Sequence, residues 1–346
     1  MRRGIFIFFS VMFLLFSSPS ESQSAEPNWS SISKKTITLF YPGQTSWEFL
    51  NSRDHGLGAR NIKRVKKSCN KCHVDESGVF DLMADEIATG KKKKKKTKAP
   101  FEPKPLPGKK GFMDAEVQAA FDANFIYMKV SWKSIGASSK DATLAGENLA
   151  DRISIQFNKK HKHFKKYGCF IACHDTNRYM PLSPSKDMVK ANPYYSKIKR
   201  DEVKLYAFYT RNQKQDGKNK LWEWDDFIDK GSLTALTSEG MMDLWEAEFK
   251  GSKVEAEDEW IFEDRQKDKQ GDLEASGGWK NGSYSVVFKR KLSTGDKYDV
   301  ELASGDTITL GIAIHDGKMG GRQHYVTFPI TLGIGAKGDI KAKKIN

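Results

Sequence analysis

The chain has 346 residues, four cysteines and a formal net charge of +14. Four cysteines are too few to build a disulfide-stabilised fold of this size, and the length is sufficient for two domains. The positive charge favours acidic partners or anionic surfaces, although a high lysine content also serves solubility alone.

The first 24 residues have the order of a secretory signal peptide. Arg2 and Arg3 precede the uncharged, mostly apolar residues 4–16, and Ser22 and Ser24 are placed like the small residues before a cleavage point. The apolar run is shorter than the roughly 20 residues of a membrane-spanning helix, so a short uncleaved anchor is the alternative. The sequence therefore predicts export to the periplasm or an equivalent lumen. It predicts a protein that does not span the membrane and does not meet nucleic acid.

A CxxCH motif follows at Cys69, Cys72 and His73. Two thiols one helical turn apart can bond to the two vinyl groups of one haem, and the next histidine can bind the iron, so the motif predicts a c-type haem. A structural zinc site is the alternative, but no second ligand pair follows closely.

His55 is the nearest histidine upstream of this motif. Met83 has the type and offset of a distal iron ligand, and is equally well explained as a core residue of a helix over residues 79–88.

Residues 90–110 combine six consecutive lysines, at positions 91–96, with four prolines. Such a run repels itself and favours extended backbone, which predicts an exposed linker or a docking arm. It separates residues 25–89, a small and mostly helical haem segment, from residues 111–340. The small segment has too little apolar surface for a large core of its own, so the haem should supply part of that core.

Residues 111–340 contain repeated short apolar or alternating runs separated by Gly, Asn and Asp turns. This pattern predicts a mainly β fold, an antiparallel β-sandwich. One helix is predicted over residues 237–248. The predicted strands are residues 116–121, 125–132, 152–157, 204–209, 278–290, 307–314 and 325–328.

A second cysteine pair, Cys169 and Cys173, is followed at once by His174. The CxxxCH spacing has one more residue than the usual haem motif, and three explanations compete. They are a second c-type haem, a Cys169–Cys173 disulfide beside a non-covalent haem, and a metal or redox pair. The histidine after Cys173 favours haem.

Two further histidines, His315 and His324, flank a glycine-rich turn between two strand-like runs. Both are candidates for a distal iron ligand at one end of a hairpin, and each is also explained as an ordinary turn residue. His161 and His163 belong to a lysine-rich stretch, which predicts a solvated face.

Five pieces of the sequence carry a family resemblance by their order, which is residues 117–120, 151–157, 168–174, 278–290 and 311–316. With these pieces, residues 111–335 resemble the haem-binding domain of the ethylbenzene dehydrogenase gamma-subunit family. The resemblance implies a β-sandwich, related to carbohydrate-binding and DOMON-type modules, that holds one haem at its end. In gamma subunits of exported molybdenum enzymes that haem is b-type, with Met and Lys as axial ligands.

The chain departs from the gamma subunits at Cys169, Cys173 and His174, and it is more similar to the cytochrome branch, in which a CxxCH segment precedes the sandwich. Gamma subunits of nitrite/nitrate oxidoreductase-like complexes are similar in layout. By position, His315 or His324 would replace the ligand lysine. Lys318 and Met180 are the outside candidates. The second haem is accordingly expected to be of c or b type.

No catalytic motif accompanies these sites. The first functional hypothesis is a di-haem, gamma-like subunit that relays electrons for a periplasmic molybdenum/iron–sulfur oxidoreductase of the nitrite/nitrate or ethylbenzene dehydrogenase type. The second is a free di-haem c-type cytochrome that meets acidic redox partners. The third is a haem-free sandwich module that binds carbohydrate or another ligand. Its candidate aromatic residues are Trp222, Trp224, Trp245, Trp260 and Trp279.

Overall fold

The computed structural model describes residues 26–346 except 106, 136–149, 175–185, 198, 204, 216–221, 252, 318 and 320–322. The predicted signal peptide, Met180 and Lys318 lie outside the described residues, as do the side chains of Trp222 and Trp224. Within the described part, no helix has the length and apolar character needed to cross a membrane.

Most strands belong to one large sheet folded into two layers. The strands are β1 (Lys35–Phe40), β2 (Phe112–Phe121), β3 (Phe125–Lys133), β4 (Arg152–Asn158), β5 (Ala172–His174), β6 (Leu205–Ala207), β7 (Arg211–Gln215), β8 (Trp222–Phe227), β9 (Met242–Lys250), β10 (Lys253–Ile261), β11 (Arg265–Lys267), β12 (Glu274–Lys280), β13 (Ser283–Lys291), β14 (Thr307–His315), β15 (Tyr325–Val326), β16 (Ile330–Ile334) and β17 (Ile340–Lys344).

One layer has the order β12-β13-β3-β2-β1 and the other has the order β14-β4-β9-β10-β11, with antiparallel neighbours in both. β15 pairs with β1 and β14, and the parallel pair β16–β17 connects β14 to β2. The two-stranded sheets β5–β6 and β7–β8 lie outside these layers. The predicted mainly β, antiparallel sandwich is confirmed.

The main core lies between the two layers. Val117 and Met128 of one layer and Ile155, Trp245 and Ile312 of the other belong to the same buried cluster. Strand β13 shows why the sequence folds this way, because every second residue from 284 to 290 is buried. Side chains alternate across a strand, so the apolar positions of such a run all face the opposite layer.

Helices are short and concentrate before β2 and between β4 and β9. They are α1 (Trp47–Asn51), α2 (Leu57–Lys63), α3 (Asn70–His73), α4 (Ala84–Ala88), α5 (Lys162–Tyr167), α6 (Lys186–Ala191), α7 (Pro193–Lys197) and α8 (Lys230–Gly240). Helix α4 packs where β15 joins β1, since Ala84 shares a buried cluster with Phe40, Val326 and Phe328. The helical haem segment therefore covers this edge of the sandwich, and β1 of the same segment is part of the sandwich.

Most lysines of residues 91–96 are exposed, as the composition predicts, but the segment contacts the rest of the chain through Lys94. Lys94 is only 2% exposed, and its Nζ donates to the carbonyl oxygen of Gln44 at 3.0 Å. Nζ of Lys94 also lies 5.0 and 5.2 Å from the ring centroids of Phe49 and Phe101. Desolvation lowers the pKa of Lys94 to about 6, with Asp54 and Glu48 acting in the opposite direction. The segment packs against the haem segment, and the predicted division into domains at residue 90 stays a prediction.

The helix predicted over residues 237–248 is wrong for most of its length, because α8 ends at Gly240 and β9 begins at Met242. β9 lies between β4 and β10 and is buried on both faces. Residues 245–250 of β9 alternate apolar and polar side chains, which is the period of a strand and is already present in the sequence.

Candidate haem sites

The CxxCH motif forms the single turn of α3. The backbone N–H groups of Cys72 and His73 donate to the carbonyl oxygen of Cys69 at 3.0 and 2.9 Å. This turn places the two thiols on neighbouring positions of one short helix, with Cys72 exposed and Cys69 half-buried. Burial raises the pKa of the Cys69 thiol to about 12, and neighbouring Cys169 acts in the same direction.

A second imidazole lies opposite His73. The ring centroids of His55 and His73 are 6.0 Å apart, and their planes differ by 16°. Nδ1 of His55 donates to the carbonyl oxygen of Leu50 at 2.9 Å, and Nδ1 of His73 donates to that of Asp81 at 3.3 Å. Both bonds hold the rings in one tautomer and leave Nε2 as the nitrogen that can bind a metal. Metal–imidazole bonds of about 2 Å would hold two such rings about 6 Å apart, which fits the observed separation.

The backbone around His55 is shaped to hold its ring. A Cβ atom at Gly58 would lie 2.3 Å from Cε1 and 2.5 Å from Nε2 of His55, so no side chain fits at position 58 beside this ring. Gly56, between them, has φ of +61°, a conformation that favours glycine. Desolvation lowers the pKa of His55, which favours the neutral imidazole that metal binding requires. In the sequence, the corresponding signal is the spacing His-Gly-x-Gly at residues 55–58, which leaves room for the histidine ring.

His55, Cys69, Cys72 and His73 line one cavity of about 290 Å³. The other walls of the cavity are mostly apolar. The cavity opens to solvent where Cys72 and Met83 line it, because both residues are exposed. A haem held here would have an apolar surround and an exposed edge, which suits the residues present. The wall includes Phe40, Phe49, Leu50, Ile62, Phe170 and Phe328.

Met83 lines the same cavity but has a different environment from His55. Its side chain is 53% exposed, and Nζ of Lys92 contacts its Sδ. It precedes α4 and is not the core residue of a helix over residues 79–88. Because His55 lies opposite His73 and is held by a backbone carbonyl, the geometry favours His55 over Met83 as the distal ligand.

Three histidines form a second cluster. The ring centroids of His174 and His324 are 6.2 Å apart, and those of His315 and His324 are 4.8 Å apart. The register of β14 and β15, with Ile314 opposite Tyr325, places His315 across from His324. The predicted position of these two histidines at one end of a hairpin is therefore confirmed. The His174–His324 separation is close to that of the His55–His73 pair.

The two cysteines of the second motif lie in different surroundings. All four cysteines lie in the described part of the chain, and none forms a disulfide. Cys169 contacts the apolar cluster that includes Phe40 and Cys69. Cys173 is 3% exposed and belongs to another cluster. Since consecutive residues of a strand point to opposite faces, Cys173 lies on the face of β5 opposite to His174.

His161 and His163 do not form the solvated face that their lysine-rich surroundings predicted. His161 is buried, and its ring centroid lies 4.2 Å from that of Tyr209. The ring of His163 packs edge-on against those of Phe208 and Trp47. Desolvation lowers the pKa of both histidines to about 4. The lysines between and after them face solvent instead, because helix α5 starts here and its two faces separate apolar from charged residues.

One segment connects the two sites. Tyr167 and Phe170 line the cavity of the first site, and His174 of the second cluster follows four residues after Phe170. The two sites are therefore neighbours along the short segment 167–174.

Comparison with known proteins gives matches over nearly the whole chain. The sequence profile described as ethylbenzene dehydrogenase matches residues 27–327. Cytochrome c-552 of Stutzerimonas stutzeri is 30% identical over 331 residues, covering 96% of this chain and 95% of that protein. Cytochrome c-551 of Rhodocyclus tenuis is 27% identical over 321 residues, covering 92% and 99%.

Among solved structures, a carbohydrate-binding module of family 9 from Caldicellulosiruptor kristjanssonii, in complex with cellotriose, covers 68% of this chain and 77% of its own. It is 8% identical with a TM-score of 0.28, which is too low to carry an argument.

Proposed function

The chain belongs to the ethylbenzene dehydrogenase family, and from that premise we propose that it is an exported electron-transfer protein with two haem groups. The observation that carries the proposal is the pair His55 and His73, which face each other across a cavity that both thiols of the CxxCH motif line. When bound between two imidazoles, a haem supplies one-electron oxidation and reduction and has no open position for a substrate. The similarity to two proteins named as cytochromes supports this function.

In the first site, Cys69 and Cys72 would attach a haem through thioether bonds, and His73 and His55 would bind its iron. The carbonyl groups of Leu50 and Asp81 orient the two rings. The apolar wall would exclude water from most of a haem bound here, a condition that tunes the reduction potential of a haem.

In the second site, His174 and His324 would bind the iron, and His315 is the neighbour whose ring contacts that of His324. Cys169 and Cys173 stay candidates for covalent attachment, so the second haem is proposed as c-type or b-type. The burial of Cys173 away from His174 favours a haem held by the histidines alone.

Two partner arrangements fit this chemistry. The family favours a gamma-like subunit that relays electrons for a periplasmic molybdenum/iron–sulfur oxidoreductase. The alternative, a free di-haem cytochrome, is favoured by relatives named as cytochromes that match over almost their full length. A haem-free carbohydrate-binding module is the least supported, because Trp245 and Trp260, two of its candidate aromatic residues, are buried.

The surface around the first site fits an acidic redox partner. Residues 60–71 contain six basic and no acidic residues, and most of the basic side chains are exposed. Leu57, Val79 and Met83, the large exposed apolar residues of the described part, belong to the same haem segment. Exposed apolar side chains allow close approach of a partner, and positive charges on the same segment attract an acidic one.

Electron transfer with small reagents of opposite charge tests this proposal. The reduced protein should be oxidised by ferricyanide, an anion, and the double variant Lys67→Glu/Lys71→Glu should react about tenfold more slowly at low ionic strength. The difference should shrink with added salt and reverse in sign with a cationic cobalt oxidant. Stopped-flow absorbance of the haem band provides the rate. Lys341→Glu, an exposed change on β17, is the control. Absence of a haem band, or equal effects of both variants, would contradict the proposal.

A further inference from the structure

Three buried aspartates come together in the sandwich, on elements that the haem sites do not use. Asp243 lies on β9, Asp258 on β10 and Asp299 in the loop between β13 and β14. In the β9–β10 register, Asp243 pairs with Trp260 and Asp258 pairs with Trp245, so the two aspartates are diagonal neighbours on one face. One carboxylate oxygen from each residue lies within 4.8 Å of the others.

A single guanidinium group faces these three carboxylates, and its hydrogen bonds are already used. Nη1 of Arg290 donates to Asp243 Oδ2 at 2.6 Å, and it forms an ion pair with Asp299, whose Oδ1 lies 3.1 Å away. Its Nη2 and Nε donate to the carbonyl oxygens of Val300 and Lys291. One positive charge against three carboxylates leaves two negative charges without compensation in a buried place, which is costly.

The oxygens that Arg290 does not reach have no hydrogen-bond partner in the described part of the chain. They are Asp243 Oδ1, both carboxylate oxygens of Asp258, and Asp299 Oδ2. Asp258 is 7% exposed, so solvent does not replace the missing partners. Buried carboxylate oxygens are normally satisfied, so four buried oxygens without a hydrogen-bond partner, on three aspartates that approach one another, call for an explanation.

We propose that Asp243, Asp258 and Asp299 form a binding site for a divalent cation of the calcium class. Calcium binds oxygen ligands at roughly 2.3–2.6 Å, so ligand oxygens within 4.8 Å of one another can share one ion. The absence of nitrogen and sulfur from this set argues against zinc. Calcium tolerates irregular geometry, whereas magnesium demands a near-ideal octahedron. The two positive charges of such an ion would neutralise the two negative charges of the aspartates that Arg290 does not compensate.

Protonation is the competing way to reduce this charge. Desolvation first, and then neighbouring Asp243, raise the pKa of Asp258 to about 8 and that of Asp299 to about 7. A further carboxylate, that of Asp268, raises the pKa of all three aspartates as well. Titration with metal distinguishes the two explanations, because only the cation site responds to calcium at constant pH.

A cation here would join β9, β10 and the loop that carries Val300 into the main core. Its effect should therefore be on stability, independent of whether a haem is bound. The binding free energy adds to that of folding, because the unfolded chain does not assemble the three carboxylates.

The test uses the full chain with its cofactors, stripped of metal by a chelator and dialysed against millimolar calcium chloride at constant pH. One calcium ion per chain should be retained, measured by elemental mass spectrometry. The unfolding midpoint, followed by far-UV circular dichroism, should rise by about 5 °C. Asp258→Asn should bind calcium at least tenfold more weakly, and without calcium it should be no less stable than the wild type.

Glu274→Gln is the control, since it removes an exposed carboxylate of the same sandwich. Asp299→Asn repeats the test if Asp258→Asn does not fold. The proposal is overturned if the wild-type protein retains no calcium, if sodium chloride at equal ionic strength gives the same shift, or if the foldable aspartate variant responds to calcium as the wild type does. An equal response to magnesium would overturn the assignment to calcium.

Discussion

Replacing His55 with alanine should convert the first haem from a six-coordinate low-spin state to a high-spin state that binds carbon monoxide when reduced. The expectation follows from the 6.0 Å separation of the His55 and His73 rings and from the backbone carbonyl that orients each of them. The haem should stay attached, because Cys69, Cys72 and His73 are unchanged. Absorption spectra and electron paramagnetic resonance measure the spin state.

Two further variants make this prediction specific. Gly58→Ala should reproduce much of the effect, because a Cβ atom there would occupy the place of the His55 ring. His55→Met should keep the low-spin state and raise the reduction potential by a fraction of the roughly 0.8 V that axial ligands span. Met83→Leu is the matched control and should leave the spectrum unchanged. A low-spin spectrum lost in Met83→Leu but kept in His55→Ala would contradict the assignment.

Replacing His324 with alanine should have the second large effect, confined to the second haem. His324 lies 6.2 Å from His174 by ring centroids, close to the separation in the first pair. Loss of one imidazole should remove a non-covalent haem, or make a covalently attached one high-spin. Haem content per chain and the low-spin signal of the first haem, which serves as the internal reference, measure the outcome.

His315→Asn is the comparison within this cluster. Its ring contacts that of His324, so the substitution should weaken the positioning of His324 and leave the second haem bound. The assignment is wrong if His315→Asn removes the haem while His324→Ala leaves it unchanged.

Local patterns explain which parts of this molecule could be predicted. The sandwich follows from the alternation seen in β13, and the proximity of His315 and His324 follows from a hairpin whose two strands flank them. The CxxCH turn is also local, since Cys69 to His73 form one helical turn. Each of these depends on residues close in sequence or on a simple repeat.

The sequence does not predict features that depend on tertiary packing. The sequence could not show that Lys94 is buried against Phe49 and Phe101, because its neighbours are lysines. The ring of His161 is buried for a similar reason, by contact with Tyr209, which is distant in sequence. His55 was a candidate only by its position, whereas its orientation depends on Leu50 and on the missing side chain at Gly58.

The second cysteine pair is another feature that the sequence could not predict in full. Spacing alone groups Cys169, Cys173 and His174 into one attachment site, but a strand places adjacent side chains on opposite faces. The buried position of Cys173 is therefore visible only once β5 is known to pair with β6.

The most direct test of the whole account is a pyridine haemochrome spectrum with intact mass under denaturing conditions, on protein made in a host that matures c-type cytochromes. We predict a covalent haem at Cys69 and Cys72, lost in the Cys69→Ala/Cys72→Ala variant, and a second haem that is either covalent or extractable. A protein that folds and carries no covalent haem would contradict the account.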